Sequence, residues 1–216
     1  LRGHMNAVSG VGWSPNRLWL ASSEVDNAIR LWETASGACL QILQHPEDPA
    51  NLFYGVAWSP DGARLASGTS QRGVLVWDVK ARQAGWVGSQ RSTKIRHVAW
   101  SPDGTKVAGS GDDGTVYVWA AVDGALLQQL VGHHSMITSL AWSPGGKYLV
   151  SGGRGVESGE LFVWDAEHGA RVASFAGHAE TVSALALGPS EEWLISGGGG
   201  GKLRWWDMQS GTCVRV

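Results

Sequence analysis

The chain has 216 residues, is 43% hydrophobic and 17% charged, and carries a formal net charge of −2. That length can bury a core that needs no disulfide or metal, and the near-neutral balance argues against a strongly basic nucleic-acid surface. No apolar run approaches the ~18 residues of a membrane span and no signal peptide is visible, so a cytoplasmic protein is expected.

The 31 glycines and 13 tryptophans are both over-used, and glycine in such numbers implies many tight turns. In chain order, one pattern returns five times. The first unit is Val8–Pro15, then Leu18–Ser22, then Ile29–Glu33. The second runs Tyr54–Gly62, Leu65–Gly68 and Val74–Asp78, and the third Ile95–Gly104, Val107–Ala108 and Val116–Trp119. The fourth is Ile137–Pro144, Tyr148–Gly152 and Leu161–Asp165, and the fifth Val182–Pro189, Trp193–Gly197 and Leu203–Asp207. A fourth apolar run follows each unit: Cys39–Leu43, a weak one at Trp86–Val87, Leu126–Val131, Arg171–Phe175 and Cys213–Val216. Short aromatic and β-branched runs bounded by Pro, Asp and Gly predict strands joined by hairpins. The closing tryptophans Trp32, Trp77, Trp119, Trp164 and Trp206 are spaced by 45, 42, 45 and 42 residues. A period of 40–45 residues with four strands per unit is the signature of a propeller blade. Repeats are expected at 1–43, 44–88, 89–131, 132–175 and 176–216, all within one domain. Cys39 and Cys213 occupy the same place in two repeats and read as small buried hydrophobes that are not bonded to each other.

Gly-His precedes three first strands (Gly3-His4, Gly132-His133, Gly177-His178), and three third strands end in Trp-Asp (Trp77-Asp78, Trp164-Asp165, Trp206-Asp207). With these motifs recurring in phase, the chain resembles the WD-repeat, β-transducin-like, β-propeller family over essentially its whole length. The resemblance implies an all-β propeller of five four-stranded blades. Five blades can form a closed ring, an open arc, or part of a ring shared between chains. The distance from Trp206 round to Trp32 through the two ends is again 42 residues, so the cut falls between units.

The resemblance also implies a buried relay of His before the first strand, Ser or Thr on the second, Asp in the following turn and Trp on the third. His4, Ser22, Asp26 and Trp32 match all four places. His133, Ser151 and Trp164 match three, with an insertion at Arg154–Ser158, as do His178, Ser196 and Trp206, with Gly200 at the Asp place. The third unit keeps Asp113 and Trp119. The second keeps Ser67 and Trp77, with Gln71 at the Asp place and His45 as a substitute histidine.

Nothing points to catalysis or a cofactor, and His45 with Glu47 and Asp48 in a polar inserted loop is a weak candidate for a metal or ligand site. Gly197–Gly201 with Lys202 fails the phosphate-loop spacing and lies between strands. His133 and His134 are adjacent and would point to opposite faces of a strand. Asp112–Asp113 fits a turn. In proteins that the chain resembles, partners dock at the ring face carrying the starts of the first strands and the turns after the second. By position these residues are Ala7, Ser9 and Val25; Leu52, Tyr54 and Ser70; Lys94, Arg96 and Asp112; Met136 and Thr138; and Thr181, Ser183 and Gly199. Tyr54 and Arg96 stand out as hot-spot types, and Lys94 beside Arg96 suggests an acidic patch on a protein partner.

The expected function is a non-catalytic protein–protein interaction scaffold or sensor module within a larger signalling or multi-protein assembly. Two alternatives remain: a propeller fragment whose copies, or the missing blades of a parent chain, combine into one ring, and a small-molecule, metal-binding or enzymatic propeller using the central channel. The first strands read Val-Gly-Trp, Val-Ala-Trp and Leu-Ala-Leu, which disfavours channel chemistry.

Overall fold

A computed structural model describes residues 1–25, 27–45, 51–71, 73–88 and 93–216. Every regular element in it is a strand. The first sheet holds β1 (Val8–Trp13), β2 (Trp19–Glu24), β3 (Ala28–Glu33) and β4 (Cys39–Leu43). The second holds β5 (Phe53–Trp58), β6 (Arg64–Thr69), β7 (Val74–Asp78) and β8 (Gln83–Gly88). The third holds β9 (Ile95–Trp100), β10 (Lys106–Gly111), β11 (Thr115–Ala120) and β12 (Leu126–Val131). The fourth holds β13 (Ile137–Trp142), β14 (Tyr148–Arg154), β15 (Gly159–Asp165) and β16 (Arg171–Ser174). The fifth holds β17 (Val182–Leu187), β18 (Trp193–Gly198), β19 (Leu203–Asp207) and β20 (Cys213–Arg215). Each sheet is an antiparallel meander with its strands in sequence order. The chain is therefore all-β with five propeller blades.

The turn chemistry explains the first hairpin of the second and third blades. In Ser59-Pro60-Asp61-Gly62 the serine carbonyl accepts from Gly62 N at 2.9 Å, and its hydroxyl donates to Asp61 Oδ1 at 2.5 Å. Ser101–Gly104 repeats both bonds, at 2.9 and 2.6 Å. Gly62 and Gly104 both sit at φ 70°, a region that glycine enters without Cβ strain.

The core lies in the joints between blades. The first strands stand side by side in the order β1, β5, β9, β13, β17. Backbones come close there: a Cβ on Gly10 would lie 2.7 Å from Gly55 Cα, and one on Gly55 2.7 Å from Arg96 O. The five closing tryptophans are at most 2% exposed. Trp19 and Trp86, which lie outside the repeated tryptophan positions, also serve joints. Trp19 packs on Trp58 with ring centroids 6.0 Å apart, and Trp86 Nε1 donates to Ala121 O at 3.0 Å.

The outward faces of the first and fifth blades are uncovered. Val11 and Trp13 on β1 are each 62% exposed, whereas Val56 and Trp58, at the same places on β5, are each 8% exposed. Ser183, Ala184 and Ala186 on β17 are exposed as well.

One expectation is corrected. Cys39 and Cys213 are free and exposed, not buried. Each begins the outermost strand of its blade, where side chains meet solvent.

Candidate protein-interaction rim

Five backbone hydrogen bonds build the rim, one per blade. Each joins the residue ahead of the first strand to the residue ahead of the next turn: Val25 N to Ala7 O, Ser70 N to Leu52 O, Asp112 N to Lys94 O, Arg154 N to Met136 O, and Gly199 N to Thr181 O, at 3.0 to 3.2 Å. Every pair is separated by 18 residues. The turn position that the insertion in the fourth unit obscures is thus Arg154. Counting 18 on from Met136 finds it.

The rim residues divide by what they already touch. Ser9 Oγ donates to Phe53 O of the next blade at 3.1 Å, and Thr138 Oγ1 donates to Val182 O of the blade after its own. Both are tied into joints. Lys94 and Ser183 are exposed, and Val25, Leu52 and Met136 are half-buried. Tyr54 and Arg96 come together across two blades, the guanidinium carbon standing 5.3 Å from the centre of the tyrosine ring. Arg96 is also held by Asp112, with Nε 2.5 Å from Oδ1 and Nη2 3.0 Å from Oδ2. The two basic residues suggested by sequence are therefore unequal: Arg96 is neutralised by a forked carboxylate, while Lys94 has no side-chain partner among the described residues. Farther round, the insertion and the segment just ahead of β17 border an open pocket of about 320 Å³ lined by Arg154, Glu157, Glu180 and Thr181 among others.

Below the rim, the histidines join their blades' tryptophans. His4 Nε2 lies 2.8 Å from Ser22 Oγ, which accepts from Trp32 Nε1 at 2.7 Å. His133, Ser151 and Trp164 repeat this at 2.6 and 2.8 Å, and His178, Ser196 and Trp206 at 2.6 and 2.7 Å. Asp26 lies outside the described residues. Two carboxylates that sequence reasoning missed face the other histidine nitrogen: Glu24 Oε2 is 2.6 Å from His4 Nδ1, and Glu160 Oε2 is 3.1 Å from His133 Nδ1. A proton on Nδ1 donates to the carboxylate, leaving Nε2 to accept the serine hydroxyl. Burial pushes the Glu24 carboxyl up, but hydrogen bonds from His4 and the Asn6 and Met5 amides, with the Arg30 charge, hold it below the ordinary range. Burial lowers His133 to about 4 despite the opposing pull of Glu160, so the imidazole is neutral at pH 7.

The second and third blades lack this relay. Trp77 Nε1 and Trp119 Nε1 are buried without a hydrogen-bond partner among the described residues. Ser67 Oγ turns to Gly68 O at 3.1 Å, and His45 is buried with its own Nδ1 unpartnered. Asp113 is not linked to Trp119. Its Oδ2 accepts the Tyr117 hydroxyl at 2.7 Å, and the place taken by Ser22 in the first blade is Gly109 in the third, which has no hydroxyl to offer.

Among the described residues, no cluster of three or more His, Cys, Asp or Glu side chains is placed to hold a metal.

The sequence pattern of the family described as WD domain, G-beta repeat matches residues 1–33, 37–78, 85–120, 124–165 and 169–207. Curated relatives match over one unit. Eukaryotic translation initiation factor 3 subunit I of Aspergillus terreus is 41% identical over 44 residues, 20% of this chain and 13% of that protein. The ribosome biogenesis protein BOP1 homolog of Arabidopsis thaliana is 35% identical over 46 residues, 21% of this chain and 6% of that protein. A chain in the crystal structure of the mitotic checkpoint complex superposes with a TM-score of 0.86 at 22% identity, covering 99% of this chain and 64% of that one. The chain thus spans less than two thirds of each of these proteins. With the repeat pattern matching nearly end to end and all five blades in place, the chain belongs to the WD-repeat family.

Proposed function

We propose that the chain is a non-catalytic protein-interaction module that presents its rim to a protein partner within a larger assembly. The observation that carries this reading is the cluster of Tyr54, Arg96 and Asp112 across the second and third blades, with the unpaired Lys94 beside it. Tyrosine and arginine dominate binding hot spots, and here both are held in place before any partner arrives. Hydrogen-bonded meanders fix the rim, so docking orders little on this side of the interface. An acidic group on the partner pairs with Lys94 and competes with Asp112 for Arg96. Relatives named as an initiation-factor subunit and as part of a checkpoint complex support an assembly context. A cytoplasmic setting and the repeat boundaries near 43, 88, 131 and 175 belong to the same reading.

The test is affinity capture from a lysate of the source cells, with the wild-type chain and a Tyr54→Ala/Arg96→Ala double variant side by side. The variant is expected to bind at least about tenfold more weakly while its thermal unfolding stays near wild type. Equal capture by both sinks this rim as the binding surface.

A further inference from the structure

At the end of the strands away from the rim, two joints between blades are bonded by one device. The first residue of a second strand reaches the turns of the next blade. Arg64 Nη1 donates to Ala121 O at 2.6 Å and Nη2 to Gly104 O at 3.4 Å, with the guanidinium carbon 4.7 Å from the centre of the Trp100 ring. Lys106 Nζ donates to Ala166 O at 3.0 Å. A fourth-strand residue joins each of them: Trp86 Nε1 donates to Ala121 O at 3.0 Å, and Gln128 Nε2 to Ala166 O at 3.3 Å. In the first joint, Trp19 takes the leading place and packs on Trp58.

The joint of the fourth and fifth blades departs from this device. By strand register, Tyr148 stands where Arg64 and Lys106 stand, and Ala173 where Trp86 and Gln128 stand. Leu187 ends β17 where tryptophans end β9 and β13. Met208 N donates to Glu192 O as Ala121 N does to Thr105 O, both at 2.8 Å, so Met208 O and Glu191 O are the counterparts of Ala121 O and Gly104 O. Unlike those two, neither accepts from a side chain among the described residues. An open pocket of about 400 Å³ lies there, lined by Tyr148, Glu191, Glu192, Asp207, Met208 and Gln209 among others. Its three carboxylates are each steadied through one oxygen. Glu191 Oε1 accepts from Gly145 N at 2.5 Å, Glu192 Oε2 from Ser190 Oγ at 3.1 Å, and Asp207 Oδ1 from Ser210 N at 2.7 Å. The second oxygen of each has no hydrogen-bond partner among the described residues. Lys147, with Nζ 4.9 Å from the centre of the Tyr148 ring, offsets one of the three charges.

The structure assigns this pocket to an arginine side chain of a protein partner, held as the chain holds its own Arg64. The incoming guanidinium donates to Met208 O and Glu191 O, its stem lies along Tyr148, and the free carboxylate oxygens neutralise it. Arginine suits the place better than lysine because its planar fork meets two carbonyls at once. The site lies at the opposite end of the strands from Tyr54 and Arg96, so it is a second contact, independent of the proposed rim.

The experiment is an amide NMR titration of the isotope-labelled chain with two blocked peptides that differ only in a central arginine or citrulline. The arginine peptide should shift the Glu192, Met208 and Gln209 amides saturably, with a dissociation constant on the order of 1 mM. Citrulline keeps the shape and loses the charge, and should bind at least about tenfold more weakly. Tyr148→Arg rebuilds the Arg64 arrangement within the chain and should abolish the shifts. Ala173→Gln, which supplies the Gln128 amide, is the second variant for that purpose, and spectra unchanged away from the pocket check that both fold. The Tyr54→Ala/Arg96→Ala variant should bind the arginine peptide as the wild type does. No saturable shift up to about 10 mM arginine peptide overturns the inference. So does equal binding of the citrulline peptide, or undiminished binding by the folded Tyr148→Arg and Ala173→Gln variants. Loss of the shifts in the Tyr54→Ala/Arg96→Ala variant places the peptide at the rim and overturns it as well.

Discussion

The third and fourth blades share a strand plan and solve the same burial problem differently. Both hide a closing tryptophan, Trp119 at 0% and Trp164 at 2% exposure. In the fourth blade the indole N–H is satisfied by Ser151, which His133 and Glu160 orient in turn. In the third, the indole N–H has no partner among the described residues, and packing replaces the bond. Tyr117 stacks on Trp119 at 5.8 Å, and a Cβ on Gly88 or Gly109 would come within 2.9 Å of the indole. The fold therefore needs the tryptophan buried, and a relay is one of two ways to bury it. An orphaned buried donor loses the free energy of about one desolvated polar group, which close packing can offset.

The difference gives the two blades different responses to pH, although burial lowers His97 of the third blade as well as His133 of the fourth. His133 has a folded pKa of about 4 against 6.5 in the unfolded chain. Between these values the unfolded state binds more protons, so stability is lost as pH falls from 6.5 to 4, by on the order of 3 kcal/mol. Glu160, held below its ordinary value, adds loss in the same direction. Tyr117 is the reverse case: burial first, then its bond to Asp113, raises it to about 12 from 10. Its contribution is complete below pH 10 and fades as pH rises toward 12, by about 2–3 kcal/mol. Hydrogen exchange followed by peptide should show Tyr148–Asp165 opening first in acid and Lys106–Ala120 first in alkali. The same blade opening first at both extremes would break the comparison.

Substitution sharpens it further. Ser151→Ala strands both Trp164 Nε1 and His133 Nε2 and should destabilise by about 2–3 kcal/mol in denaturant unfolding. Ser67→Ala, at the same place in the second blade, touches no tryptophan bond and should cost about 1 kcal/mol or less. Equal losses would mean that the serine matters through packing alone. Asp112→Ala removes a partly exposed ion pair and should change stability by no more than about 1 kcal/mol. It frees Arg96, and so should tighten binding of an acidic partner if the proposed rim is correct. Cys39→Ser, at an exposed site, should change neither stability nor binding measurably.

Much of this architecture was legible in the sequence, for a physical reason. A blade cannot bury its face alone, so each unit must repeat the same strands, turns and closing tryptophan. The 42–45-residue period and the Ser-Pro turns record that requirement. The charge partners were not legible. Glu24 ends the second strand and Glu160 is the second residue of the third, beyond an insertion, so neither stands where a turn aspartate is sought. Lys94 and Arg96 together suggested a basic pair for an acidic partner, yet Asp112, 16 residues on from Arg96, pairs with only one of them. Exposure of the cysteines depended on which strand is outermost, which periodicity does not report.

The bonds from the first-strand tryptophans Trp58, Trp100 and Trp142 all end on main-chain carbonyls. That acceptor exists whatever residue supplies it, so the joint recognises a position along the neighbouring backbone and is indifferent to its chemistry. Neighbouring units need not co-evolve to keep this bond. A gene segment encoding one unit can be duplicated, removed or exchanged with the hydrogen bond intact on the first attempt, which leaves blade number free to drift over evolutionary time.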